Sequence, residues 1–93
     1  MDSCLKFIVK GNVQGVFYRK YVSKAMNSKK IIGYIRNLEN GDVEVLVKNR
    51  DGLNIKDIFD ILYEGSPKSE VKAVEMVECK EDILFKSTFE VRY

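Results

Sequence analysis

The stretch Gly11-Asn12-Val13-Gln14-Gly15-Val16-Phe17-Tyr18-Arg19 constrains this chain more than any other, because the residue pattern changes period inside it. Before it, Leu5, Phe7 and Val9 alternate with Lys6, Ile8 and Lys10, the pattern of a strand over residues 4–10. After it, Tyr18, Val22 and Met26 recur at helical spacing with Tyr21 and Ala25 beside them, and Lys20, Ser23 and Lys24 take the other side. The spacing predicts a helix from Val16 to about Asn27. A strand that turns through two glycines into a helix leaves backbone N–H groups without partners at the positive end of the helix dipole. Gly15 can adopt positive φ, which lets successive amides converge on one point. Arg19 adds a rigid fork that matches two phosphate oxygens. The backbone amides of Gln14, Gly15, Val16, Phe17, Tyr18 and Arg19, with the Arg19 guanidinium, are thus a candidate anion cradle. Two glycines also occur in turns that bind nothing, and an arginine after a loop often meets only water, so spacing alone leaves both readings open.

Ile31 to Leu38 and Asp42 to Lys48 read as a hairpin closed by Glu39-Asn40-Gly41. A two-residue Asn40-Gly41 turn would set Arg36 across from Val45. A three-residue turn with Gly41 left-handed instead groups Ile31, Gly33, Ile35 and Asn37 with Val43, Val45 and Val47. A slip of one residue flips the whole apolar set, so the register that separates apolar from polar is preferred. Asn37 then lies on the apolar face at the end of its strand, where an amide needs partners. Capping the turn's own backbone is the simpler account of it. Asp51-Gly52 is a turn, and Leu53 to Glu64 reads as a second helix with Ile55, Ile58, Phe59 and Leu62 inward. Gly65-Ser66-Pro67 stops it. Glu70 to Lys80 is a fourth strand whose alternation fails at Ala73-Val74 and Met76-Val77, as a bulge would cause. Residues 80–86 form a charged connection, and Ser87 to Tyr93 is a last strand.

This order implies an α+β fold, a ferredoxin-like β-α-β-β-α-β sandwich with an added C-terminal edge strand, two helices covering one face of a mostly antiparallel sheet. Strands one and two run parallel with strand three between them. Their C-terminal ends share one edge, which brings the Gly11–Arg19 loop and Asn37 together. Strand four lies antiparallel beside strand one, so Cys79 approaches Cys4. A disulfide is geometrically conceivable, but two free thiols are expected in a reducing cytosol.

Composition narrows the chemistry. Histidine is absent from the 93 residues, which excludes Ser-His and Cys-His nucleophile pairs, phosphohistidine and His-ligated metal. Two cysteines so far apart make neither a zinc motif nor a CxxC pair. A net charge of +2, with lysines and acids interspersed, gives no argument for nucleic acid. No apolar run approaches the roughly 20 residues of a membrane span, and Met1-Asp2-Ser3-Cys4 does not open a signal peptide, so a cytoplasmic protein without membrane partners is expected. One domain over residues 1–93 fits the length.

With both elements placed, the chain resembles the acylphosphatase family. Gly11 to Arg19 is similar to that family's first signature, G-x-V-Q-G-V-x-F-R. Ile32-Gly33-Tyr34-Ile35-Arg36-Asn37 with Asn40-Gly41-Asp42-Val43-Glu44 is similar to the second, G-W-V-R-N-x-x-D-G-x-V-E. Gly65-Ser66-Pro67 and Phe89-Glu90-Val91-Arg92-Tyr93 also match. Four positions depart: Tyr18 for phenylalanine, Tyr34 for tryptophan, Asn40 for aspartate, and Asn27-Ser28 where glycine is common. The resemblance implies metal-independent hydrolysis of carboxyl-phosphate bonds, as in acetyl phosphate, carbamoyl phosphate or 1,3-bisphosphoglycerate, by a monomer that uses no cofactor. It implies that Arg19 and the amides of residues 14–19 bind the phosphoryl group and that Asn37 holds the attacking water. It also implies that the Tyr93 carboxylate approaches Arg19. Two rivals remain. An RNA-binding sheet would need exposed stacking aromatics, but those of strands one and five face the helices. A maturation-factor domain of the kind found in hydrogenase maturation proteins would carry the same signatures, although a chain ending at Tyr93 favours a free-standing enzyme.

Overall fold

A computed structural model describes residues 3–81 and 83–93. Met1, Asp2 and Asp82, which belong to the expected N-terminus and charged connection, lie outside the described residues. The elements follow the expected order: β1 (Cys4–Asn12), α1 (Tyr18–Ser28), β2 (Gly33–Asn37), β3 (Val43–Lys48), α2 (Ile55–Glu64), β4 (Glu70–Val77) and β5 (Phe89–Arg92). They form one sheet of order β4-β1-β3-β2-β5. Only the β2–β5 pairing is parallel; the other three are antiparallel. The ferredoxin-like arrangement is therefore present, with β5 as the added edge strand. No helix is long and apolar enough to cross a membrane among the described residues.

The hairpin register is the one that segregates side chains. Ile35 pairs with Val45 and Asn37 with Val43, while Arg36 faces Glu44. Leu38 N–H donates to the Asp42 carbonyl at 2.8 Å, enclosing a three-residue turn in which Gly41 has φ 96°. Phe7, Val9, Ile35, Val43, Val45 and Val47 then meet Tyr18, Val22 and Met26 of α1 and Ile58 and Leu62 of α2 in one core. Phe7 packs edge-on against Phe59, ring centroids 5.5 Å apart. The bulge expected in β4 sits at Lys72, because Lys10 pairs with Ala73 and Gly11 already with Val71. The extra residue keeps Val71 on the helix-covered face with Val74, which accounts for the break at Ala73-Val74, while Met76 and Val77 are both exposed. Gly11 (φ 133°) runs so close to β4 that a Cβ there would overlap the Glu70 carbonyl.

Three expectations need correction. Helix α1 begins at Tyr18, not Val16, because the chain passes through left-handed backbone at Gly15 and Phe17 first. In α2, Asn54 is the N-cap, accepting from Lys56 N–H, so Ile55 stands at the helix mouth and is exposed while Ile61 is buried in its place. Cys4 and Cys79 are joined in a disulfide, their Cα atoms 5.8 Å apart, rather than standing as free thiols. The antiparallel β1–β4 pairing placed them within bonding reach.

The second face of the sheet is not open. β4 and β5 occupy opposite edges, and Glu81, which follows β4, lies over the face that the helices leave, against Lys6. On that face Leu46 is fully buried and Tyr34 and Glu44 nearly so. Glu81 meets Lys6 at 2.6 Å, Lys6 reaches Glu44 at 3.5 Å, and Glu44 holds Arg36 Nε at 2.8 Å. The hydrogen bond to Glu81 raises the pKa of Lys6 and lowers that of Glu81. The bond to Glu44 likewise raises the pKa of Arg36. Burial of Glu44 is supportable because two cations flank it.

Candidate functional site

The site grows from the way β1 hands over to α1. After Asn12 the chain buries Val13 and turns through residues 14–17. Gly15 has φ 75° and Phe17 φ 61°, and Phe17 serves as N-cap without any side-chain cap. A left-handed phenylalanine is uncommon and carries strain on the order of 1 kcal/mol or more. Its ring is 72% exposed, so core packing does not offset that strain. The first helical bond runs from Tyr21 N–H to the Phe17 carbonyl at 3.1 Å. Amides 18–20 therefore precede the ladder, and with those of 14–17 they have no backbone acceptor among the described residues. No acidic residue occupies the first turn. Unpaired N–H groups at the positive end of a helix, with alternating left-handed residues, make an anion site.

The loop is anchored from behind and from the side. Ser66 Oγ, almost fully buried, donates to the Val16 carbonyl at 2.7 Å. Tyr18 Oη donates to the Leu62 carbonyl at 2.7 Å, and burial pushes its phenol far above the usual range. The Gln14 side chain leaves the loop altogether: its Nε2 donates to the carbonyls of Leu38 and Asp42, both at 2.8 Å. These two residues close the β2–β3 turn, so Gln14 clasps the hairpin mouth next to Asn37.

Arg19 is oriented by β5. Its Nη1 donates to the Arg92 carbonyl at 2.8 Å, and its guanidinium lies 4.6 Å from the centroid of the Tyr93 ring. Tyr93 thus meets Arg19 with its ring, and no ion pair joins Arg19 to a carboxylate among the described residues. Arg92 is the β5 partner of Arg36, the residue just before Asn37. Asn37 therefore lies between two fixed points, the Arg36–Arg92 pair that holds Arg19 and the Leu38–Asp42 pair that holds Gln14. It also shares a row with Val43 and Val9 across three strands. The loop residues, Arg19 and Asn37 come together at one sheet edge, as sequence order requires.

Asn37 does not cap its turn. That work falls to Asn40, whose Oδ1 accepts from Asp42 N–H at 3.0 Å. The Oδ1 atom of Asn37 is buried and has no hydrogen-bond partner among the described residues. An amide oxygen left so is costly unless something donates to it, about 1–3 kcal/mol. A cleft of about 500 Å³ adjoins the loop, lined by Gly15, Phe17, Arg19, Lys20 and Tyr93 among others.

The four departures noted in the sequence each have a structural account. The Tyr18 hydroxyl bonds into α2. Tyr34 receives the Arg92 guanidinium 3.8 Å above its ring. Asn40 caps the turn. Asn27 pairs through its side chain with both the N–H and the carbonyl of Phe89, at 2.8 and 3.1 Å, tying the end of α1 to β5. Sequence reasoning missed the Gln14 clasp and the Ser66 anchor. Cys4, Cys79 and Glu81 have the spacing of a metal site, but the two sulfurs are bonded to each other and unavailable as thiolate ligands.

A ferredoxin-like sheet with an amide-lined loop and an arginine at one edge defines a small α+β protein with a candidate oxyanion site. Comparison with known proteins gives the family: the acylphosphatase family model matches residues 5–91, and the chain belongs to the acylphosphatase family. It is 39% identical over 72 residues to the acylphosphatase of Dehalococcoides mccartyi strain CBDB1, covering 77% of this chain and 79% of that protein. The crystal structure of acylphosphatase from Bacillus subtilis superposes with a TM-score of 0.82 at 27% identity, over 97% of this chain and 98% of that one. The acylphosphatase structure from Coxiella burnetii gives 0.77 at 35% identity, over 98% and 93%. The protein is thus a hydrolase of the acylphosphatase type.

Proposed function

We propose that this enzyme, one domain over residues 1–93, cleaves the carboxyl-phosphate bond of small acyl phosphates at the edge where the 14–19 loop meets Asn37, without metal or cofactor. The observation that carries the roles is the buried, unpartnered Asn37 Oδ1 set beside unpaired loop amides. The amides of Gln14, Gly15, Val16, Phe17, Tyr18 and Arg19, with the Arg19 fork, hold the phosphoryl oxygens. Asn37 Oδ1 accepts a hydrogen from a water, which turns a lone pair of that water toward phosphorus. Attack forms the new P–O bond as the bond to the acyl carboxylate breaks, and the carboxylate leaves without needing a proton. The water's proton passes to a phosphate oxygen, giving carboxylate and inorganic phosphate. Such a transfer asks mainly for positioning and charge stabilisation, which suits a site without histidine.

We place the enzyme in the cytoplasm as a monomer, with the Cys4–Cys79 bridge dispensable for turnover because it lies at the far end of β1 from the loop. Incubation with benzoyl phosphate in excess chelator tests the reaction: loss of the acyl phosphate with release of inorganic phosphate is expected. No release above the uncatalysed rate would overturn it.

A further inference from the structure

We infer that Cys4 and Cys79, once their bridge is reduced, form with Glu81 a tetrahedral site for a thiophilic divalent cation, zinc. The site lies at the far end of β1 from the phosphate loop and is independent of the hydrolysis proposed above. Strand pairing assembles it. Lys6 pairs with Val77 across β1 and β4, and two residues further on Cys4 meets Cys79. Alternation along β1 puts Cys4 and Lys6 on the same face of the sheet. Lys6 then draws Glu81 over that face, Nζ to Oε1 at 2.6 Å.

This leaves the other oxygen of the same carboxylate free to face sulfur. Glu81 Oε2 lies 3.3 Å from Cys79 Sγ, and the Glu81 carbonyl oxygen lies 3.8 Å from Cys4 Sγ. The two sulfurs and the carboxylate oxygen all fall within 4.8 Å of one another, with both cysteines half-buried and Glu81 exposed. In the bridged form the sulfurs are spent on each other. A dithiol passes two electrons and two protons to the bridge, becomes a disulfide itself and leaves two thiols. Zinc displaces one proton from each and binds the thiolates. With Cα atoms 5.8 Å apart, a change of rotamer parts the sulfurs to the roughly 3.8 Å that tetrahedral bonds of about 2.3 Å require. Glu81 Oε2 supplies the third ligand, and the fourth corner, on the solvent side, falls to water. Lys6 keeps Oε1 and so orients the ligating carboxylate from behind. Charge also balances: two thiolates and one carboxylate oppose a divalent ion and the Lys6 ammonium. Thiolate donors select zinc over magnesium or calcium.

Cobalt reports such a site by absorption. The protein is reduced with a phosphine, the reductant is removed without air, and Co²⁺ is titrated in, followed by Zn²⁺. Reduced wild type should develop thiolate-to-cobalt charge transfer and intense tetrahedral d–d bands that saturate at one ion per chain, and zinc should bleach them. The oxidised protein should show neither. Cys4→Ser should abolish the spectrum of two thiolates. Glu81→Gln should weaken cobalt binding by at least the roughly 10- to 100-fold that loss of a mere supporting partner costs. Glu78→Gln, which removes a nearby carboxylate paired with Lys80, should leave affinity unchanged. A pale octahedral spectrum in the reduced wild type, one ion shared between two chains, or unchanged affinity in Glu81→Gln overturns the inference. Benzoyl phosphate turnover is not the readout, so either proposal can fail while the other stands.

Discussion

Gln14→Ala removes two hydrogen bonds from the centre of the site and leaves everything else in place. The Leu38 carbonyl would keep its bond from Gly41 N–H at 3.2 Å, and the Asp42 carbonyl its bond from Leu38 N–H at 2.8 Å. Neither acceptor is orphaned, so the loss is the net worth of two bonds and not a full desolvation penalty. That comes to about 1–3 kcal/mol of stability. The kinetic effect should be larger in proportion. Without the clasp, loop and hairpin mouth drift relative to each other, and a displacement of about 1 Å between reacting groups can lower turnover about 100-fold. Inorganic phosphate should still bind nearly as well, because the amides and Arg19 remain. Urea unfolding followed by circular dichroism gives the first quantity and benzoyl phosphate turnover the second. A double-mutant cycle with Asn37→Ala sharpens the point: if Gln14 acts by placing Asn37, its removal should matter little once Asn37 is gone. Gln14→Ala with wild-type kcat, or strictly additive losses in the cycle, would refute the reasoning.

Further outcomes follow from the same geometry. Asn37→Ala should lower kcat by about 10²–10³, as loss of a single preorganised group does elsewhere, while inorganic phosphate inhibits as before; steady-state kinetics with product inhibition read both. Arg19→Lys keeps the charge but loses the fork that spans phosphate, the Arg92 carbonyl and the Tyr93 ring, so KM should rise and kcat fall together. Reducing Cys4–Cys79 opens a loop spanning 75 residues of sequence; on the chain-entropy model this costs at most about 4.5 kcal/mol of stability. Turnover at 25 °C should be preserved, which thermal melts and assays with and without dithiothreitol will show. With no histidine in the chain, no side chain of ordinary pKa titrates between about pH 6 and 8, so kcat should be flat there; a bell-shaped profile would point to an acid or base not recognised in the site.

Much of this was legible in the residues. The order of apolar periods gave the sheet, and the need to keep Val43, Val45 and Val47 with Ile35 selected the three-residue turn now seen around Gly41. That one register also put Asn37 on the covered face. Other features depend on non-local facts. The left-handed Phe17 is invisible to propensity, because such backbone is rare in any residue with a Cβ and exists here only where the surrounding fold imposes it. The Gln14 side chain carries no local signal, since its acceptors are 24 and 28 residues away. The Lys6–Glu81 contact over the second face is equally illegible, because it depends on β5 pairing with β2 at the edge opposite β4. The β1–β4 pairing is legible in the sequence and brings Cys4 and Cys79 together, but whether the two thiols join is not written in the order of residues.

The central claim is that distant segments of chain converge on one bound oxyanion, and an NMR titration with inorganic phosphate addresses it directly. Addition of phosphate to ¹⁵N-labelled protein should shift the backbone amides of residues 14–19 and the side-chain amide of Asn37 along one binding curve, while amides near the Cys4–Cys79 bridge stay still. Loop amides that do not move, or an Asn37 signal that titrates with a different midpoint, would contradict it.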